Sequence, residues 1–308
     1  MNAPVRCVVA VLATAFACSG QAQSPATPAA RGPERTKVVV VGASVSAGFE
    51  DPTSRGSDGA PNRSYRLDVA LKKIWSRDVA RVYSGANFLM FTDPTGYGRR
   101  QIDSAKKVRA DLVLGIDFPF WFGYGPHGRE AAGVLEGRRL AAQAKCLAML
   151  EELDCPLLIG DYPDMRGASH KMLPARMVPN KVTLAQLNHR LLAWAAKRPK
   201  VRVLSLADFV AKATTQPMRL DYAPGRTVTF PKYFLLQSDR LHATRLGVLV
   251  LVRQIRDVLP QLLPKAHPLL AVDPTLCDLV QATGLADQLP AGALHAATAV
   301  GTPQGAGR

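Results

Sequence analysis

Lys37-Val38-Val39-Val40-Val41-Gly42-Ala43-Ser44-Val45-Ser46-Ala47-Gly48 is the stretch that decides the fold. An unbroken β-branched run of this kind has no polar face, so it predicts a strand buried on both sides, as in a parallel sheet covered by helices. The run breaks abruptly into small and polar residues and leaves the hydroxyl of Ser44 just beyond the strand's C-terminal end. In an open α/β sheet, ligands bind in the crevice outside that edge. A reactive group is useful there, and Ser44 is the first candidate.

Four more apolar runs of strand length follow, at Val79 to Tyr83, Asp111 to Ile116, Pro156 to Gly160 and Val201 to Leu206. Helical spacing lies between and after them. Tyr65 to Arg77 carries Leu67, Ala70, Leu71 and Ile74 on one face, and Glu130 to Leu153 does the same with Val134, Leu135, Leu140, Ala144, Leu147 and Leu150. Thr183 to Lys197, with Thr183 as a capping candidate, and the strongly apolar Thr244 to Leu263 complete the set. Short apolar strands alternating with amphipathic helices predict an α/β fold with a mainly parallel five-stranded sheet. A short helix is expected within Pro274 to Ala286, and Leu289 to Arg308, rich in Gly, Ala and Pro, reads as disordered.

The remaining segments set the organisation. Residues 1–22 place Arg6 before an apolar run from Cys7 to Cys18 and small residues at Gly20 and Ala22, the pattern of a secretory signal peptide. Acylation at Cys18 is a weaker alternative because Phe16 is bulky for a lipoprotein cleavage site. Residues 23–36 read as a flexible lead-in, 37–264 as the folded domain and 265–308 as a C-terminal tail. The expected location is therefore periplasmic or extracellular. No stable transmembrane span is expected, since the leading apolar run is too short to remain in a bilayer.

The 308 residues carry a formal net charge of +15, which raises nucleic acid as a partner. The basic residues are scattered and are not interleaved with aromatics, so the charge better suits an anionic envelope or solubility. Beyond the leader three cysteines remain, Cys146, Cys155 and Cys277. One disulfide is open to them in an oxidising compartment, and burial as small hydrophobes is the plainer reading. No Cys/His spacing predicts a metal site, and no cofactor is implied.

Ser44 needs a base. In Ser238-Asp239-Arg240-Leu241-His242 the carboxylate stands three residues before the imidazole, a spacing that lets Asp239 hold Nδ1 while Nε2 accepts a serine proton. Taken alone, the same motif fits Asp239 as a helix cap and His242 as a surface residue.

Gly42-Ala43-Ser44-Val45-Ser46-Ala47-Gly48 after the first strand, together with Asp239-x-x-His242 before the last long helix, resembles the SGNH/GDSL hydrolase superfamily, over about Lys37 to Leu263. The resemblance implies a flavodoxin-like three-layer α/β/α fold and a serine ester hydrolase. Ser44 would be the nucleophile, His242 its base and Asp239 the orienting acid. The N–H groups of Ser44 and Gly85, the latter in Tyr83-Ser84-Gly85-Ala86-Asn87, would be oxyanion donors. Ala43 replaces the family's usual Asp. Asp117, in Gly115-Ile116-Asp117-Phe118, stands where the family has an oxyanion-hole Asn.

An ionised carboxylate would repel an oxyanion, and losing one donor costs on the order of 10²- to 10³-fold in rate. Asp117 is therefore expected to be held protonated by burial, to turn away while Asn87 or backbone groups serve, or to mark a site without hydrolysis. The substrate expected is a small-molecule or glycan ester. An impaired envelope or carbohydrate-binding protein and an O-acyltransferase using the same residues stand as alternatives. The aromatic loop Phe118 to Gly125 is expected either to line an apolar acyl or ring-binding pocket beside Ser44 or to pack under the following helix, and Asp161 either to face the crevice or to form a turn.

Overall fold

The computed structural model describes residues 35–50, 64–125 and 131–296. Residues 1–22, expected to be a signal peptide, with Cys18 among them, most of the expected lead-in and the last residues of the expected tail lie outside them. Five strands, β1 (Thr36–Val40), β2 (Ala80–Ser84), β3 (Leu112–Gly115), β4 (Leu157–Gly160) and β5 (Val201–Leu204), form one sheet in the order β2-β1-β3-β4-β5. Every pairing in it is parallel, with Val38 opposite Val82 on one side and Leu112 on the other. β3 and β4 are buried at every position, which is why their sequences lack alternation.

The helices are α1 (Ser44–Ala47), α2 (Leu67–Ile74), α3 (Pro94–Val108), α4 (Phe120–Tyr124), α5 (Ala132–Leu150), α6 (Lys181–Ala196), α7 (Leu206–Thr215), α8 (Arg245–Val258) and α9 (Leu276–Thr283). The crossover from β1 to β2 steps one way along the sheet, and those from β2 to β3, β3 to β4 and β4 to β5 step the other way. Right-handed crossovers then put α2 on one face and α3, α5 and α6 on the opposite face. The packing agrees: α2 meets α8 and α9, while α5 meets α3 and α6. This is the expected flavodoxin-like α/β/α arrangement. The connections after β1 and β3 leave toward opposite faces, so a crevice opens between the ends of these two strands.

Several details differ from the sequence expectation. α6 is capped by Asn180, whose side chain accepts from Thr183 N at 2.8 Å, so Thr183 lies inside the helix. α3 carries two glycines and four Lys/Arg side chains, which hide its apolar stripe; Asp93, accepting from Gly96 N at 2.8 Å, and Pro94 start it. A second sheet is also present, with β6 (Met218–Ala223), β7 (Arg226–Phe230) and β8 (Leu294–Ala296) antiparallel. Residues 289–296 are thus ordered in part, in place of the disorder expected from Leu289 onward. Cys146, Cys155 and Cys277 are all free thiols, with Cys146 buried. Among the described residues no helix is long and apolar enough to cross a membrane.

Candidate active site

The turn after β1 is shaped by its neighbours. Gly42 has φ of +142°, and a Cβ there would stand 2.1 Å from Asp117 Oδ1, so only glycine admits the carboxylate. Gln101 on α3 clamps this glycine from the other side: its Oε1 accepts from Gly42 N at 2.6 Å and its Nε2 donates to Gly42 O at 3.0 Å. Gln101 is itself buried.

α1 then begins at Ser44 with no capping side chain at Ala43. Asp117, just beyond β3, supplies the missing acceptor. Its Oδ2 accepts from Val45 N at 2.8 Å and Ser46 N at 3.2 Å, and its Oδ1 accepts from the Ser46 hydroxyl at 2.5 Å. These are the bonds an N-cap residue would make, delivered from another strand. Burial pushes the Asp117 carboxyl up, against the opposing pull of the Ser46 hydroxyl and the backbone amides. Asp117 thus spends its oxygens on α1 while also lining, with Ser44, one small cavity. The Ser44 N–H and hydroxyl have no hydrogen-bond partner among the described residues.

Gly85 differs from the expectation in its bonding. Its N–H donates to Val40 O at 2.8 Å, extending the β1–β2 ladder, and is therefore engaged. The next two residues offer groups with no partner among the described residues, the Ala86 N–H and Asn87 Nδ2. Asn87 uses Oδ1 to accept from Leu89 N at 2.9 Å, and its N–H donates to Gly42 O at 3.0 Å, which holds the end of β2 against the Ser44 turn.

Asp239 and His242 are brought together in a buried turn. Arg240 has φ of +56°, so the chain doubles back, and Asp239 Oδ1 accepts from Leu241 N at 2.9 Å and His242 N at 3.0 Å. Its Oδ2 lies 2.6 Å from His242 Nδ1. Burial alone would raise the Asp239 carboxyl, but the hydrogen bond and charge of His242 outweigh it and leave it below the usual carboxylate range. α8 is capped by Thr244, accepting from Gly247 N at 3.2 Å, so Asp239 is not a helix cap and His242 is not a surface residue.

The two halves are tied. Gln237 Nε2 donates to Phe49 O at 2.9 Å, and Phe49 N donates to Ser44 O at 2.9 Å. The Phe49 ring lies 4.5 Å from the His242 ring. Ser44 also lines one small cavity with Leu241 and Ala243, the residues flanking His242. Ser44 Oγ and His242 Nε2 are not hydrogen-bonded to each other. The loop beyond β4 closes on this region, with Ser169 N donating to Asp239 O at 2.8 Å.

The aromatic segment divides between its two expected roles. Phe118, Trp121, Phe122 and Tyr124 are packed in the core, whereas half-buried Phe120 faces the cavity. Asp161 accepts from Ala207 N at 2.7 Å and the Ser205 hydroxyl at 2.8 Å, so it holds the start of α7. Gln101, Gln237 and Phe49 belong to no motif in the sequence; only the tertiary approach reveals them. Among the described residues, no three His, Cys, Asp or Glu side chains gather where they could hold a metal ion.

No family model and no curated protein sequence matches the chain. Solved structures do. A catalytic mutant of Axe2, an acetylxylan esterase from Geobacillus stearothermophilus, is 13% identical with a TM-score of 0.44, covering 73% of this chain and 94% of that one. TesA is 17% identical with a TM-score of 0.37, covering 74% and 98%. LAE5, an alpha/beta hydrolase enzyme from the metagenome of Lake Arreo, is 14% identical with a TM-score of 0.40, covering 74% and 97%. The class of fold is fixed by this chain's own strand order.

Proposed function

We propose that the chain is a serine hydrolase acting on carboxylic esters by acyl transfer. The observation that carries this reading is the buried Asp239–His242 pair, linked through Gln237 and Phe49 to the turn that presents Ser44. Ser44 Oγ attacks the ester carbonyl carbon while His242 Nε2 takes its proton. Asp239 keeps the proton on Nδ1, so that Nε2 is the basic nitrogen, and stabilises the imidazolium that forms. The alcohol leaves with the proton from His242; water, deprotonated by the same nitrogen, then attacks the acyl carbon, and His242 returns that proton to Ser44 Oγ as the bond to the acid breaks.

The Ser44 N–H is one oxyanion donor, left free because Asp117 takes only the next two amides of α1. The Ala86 N–H or Asn87 Nδ2 is the second, in place of Gly85 N–H, which donates to Val40. Asp117 is a positioning residue that shapes the Ser44 turn. This assignment also bears on the alternative of an impaired site, because a carboxylate spent on α1 does not confront the oxyanion. The leader-like residues 1–22 and the charge of +15 support export to an anionic envelope.

Hydrolysis of p-nitrophenyl acetate that Ser44→Ala abolishes, with unchanged far-UV circular dichroism, is the expected result. Undiminished turnover in that variant refutes the assignment. Export is checked by the mature N-terminus of the protein expressed with residues 1–22.

A further inference from the structure

Resting on that reading, we infer that the loop between β4 and α6 is a clasp for the catalytic turn, and that Arg139, buried on α5, is a positioning residue that acts through this loop on Asp239. The loop spans residues 161–180 and holds one short turn of helix, at Ala175–Met177. Irregular connections of such length are uncommon in a compact domain unless they serve a site.

Arg139 is 1% exposed. Removing a guanidinium from water is costly, and an apolar side chain of similar volume often packs as well, so stability alone does not account for a charge here. What arginine supplies is a fork of donors. One Nη donates to Gly123 O at 2.7 Å and to Met177 O at 2.8 Å, and the other donates to Arg176 O at 2.7 Å. Glu136, three residues earlier on α5, lies 3.5 Å from Nε and balances the charge. One side chain of α5 thus fixes a carbonyl of α4 and two at the far end of the loop.

The near end of the loop is pinned from the same place. Tyr124, next to Gly123, donates its hydroxyl to Pro163 O and accepts from Met165 N at 3.3 Å. Between the pins the chain forms successive turns, with Ala168 N donating to Met165 O at 3.0 Å, Leu173 N to Ser169 O at 2.8 Å and Met177 N to Pro174 O at 2.8 Å. Met165, Ala168 and Leu173 are buried, so the segment is set in the core and has little room to yield. Its middle meets the site. Ser169 N donates to Asp239 O at 2.8 Å, and Pro163 and Met165 line the cavity with Ser44. Asp239 in turn holds His242 Nδ1, so release of the loop at Arg176 and Met177 loosens Asp239 and the imidazole with it.

The test is Arg139→Met, which removes the donors and keeps an unbranched side chain, assayed with p-nitrophenyl acetate at folded-protein concentrations checked by far-UV circular dichroism. A misplacement on the order of 1 Å set far from the chemistry can cost about 100-fold, so kcat is expected to fall about 10- to 100-fold while KM changes less than about threefold. A residue serving stability alone would lower the urea midpoint and leave kcat unchanged. The route is read from a double-mutant cycle: in the Asp239→Asn background, Arg139→Met is expected to cost less than about threefold in kcat. Tyr124→Phe removes the other pin, is expected to lower kcat in the same way, and takes the place of Arg139→Met if that variant does not fold. A kcat within about threefold of wild type in the folded variant, or losses that simply add to that of Asp239→Asn, overturns the inference. Either result with a wild type that turns over and is labelled at Ser44 by a fluorophosphonate rejects the clasp alone. A wild type without labelling or turnover rejects the hydrolase reading and the clasp with it.

Discussion

Replacing Asp239 by asparagine isolates one hydrogen bond. In the wild type Oδ1 accepts the two backbone amides of Leu241 and His242, and Oδ2 alone faces His242 Nδ1 at 2.6 Å. The substituted side chain retains an oxygen for the amides and places an NH₂ against the imidazole. That group donates, so Nδ1 must become the acceptor and the proton moves to Nε2, the nitrogen required as base. In a comparable triad this wrong tautomer lowers kcat on the order of 10⁴-fold. The stability cost is smaller. A charged hydrogen bond is worth roughly 1.5–3 kcal/mol against about 1 for a neutral one, so a loss of ~1–2 kcal/mol is expected. Because the folded-state carboxyl lies below its usual range, this contribution is present above the unfolded value of about 3.9 and is lost as pH falls through the folded value. The assays are steady-state hydrolysis of p-nitrophenyl acetate and urea unfolding at pH 7 and pH 3. A kcat/KM within tenfold of wild type would refute the assigned role of Asp239.

Other changes probe the turn around Ser44. Gly42→Ala forces a Cβ against Asp117 in a backbone region hostile to alanine, and a loss of at least ~2 kcal/mol is expected in urea unfolding; a change under ~1 kcal/mol contradicts the close approach. Gln101→Leu leaves the buried N–H of Gly42 without its partner, at about 1–3 kcal/mol, while the C=O keeps its bond from Asn87 N, and it should lower kcat more than it raises KM. For Asp117 the folded pKa is raised, so the folded chain binds the proton more tightly than the unfolded one. Its contribution is full below the unfolded pKa and declines as pH rises through the folded one. Wild type is thus expected to lose stability across that window relative to Asp117→Asn; parallel stability profiles for the two proteins speak against the shift.

The central sheet is legible in the sequence because its strands are short, continuous and apolar, a pattern that buried parallel strands leave behind. Ser44 and Asp239-x-x-His242 are legible because each sits beside a strand or helix boundary that the pattern marks. The β6–β7 hairpin is not, although Met218 to Phe230 alternates about Pro224-Gly225, because the alternating signal differs from the continuous runs that define the main sheet. Asp117 shows the other kind of failure. Its residue type raises the question of charge in an oxyanion hole, but the answer depends on where β3 ends relative to α1 and on the space left by Gly42. A chain without a capping oxygen at Ala43 receives one from Asp117, and no local spacing encodes that exchange. The engaged N–H of Gly85 is likewise a matter of strand register, fixed by the β1–β2 pairing.

The most direct test of the account is covalent labelling with a fluorophosphonate followed by peptide mass spectrometry. The account predicts a single phosphonylated peptide modified at Ser44, with labelling abolished in Ser44→Ala and strongly slowed in His242→Ala. Labelling that persists in Ser44→Ala, or no labelling of the folded wild-type protein, would contradict it.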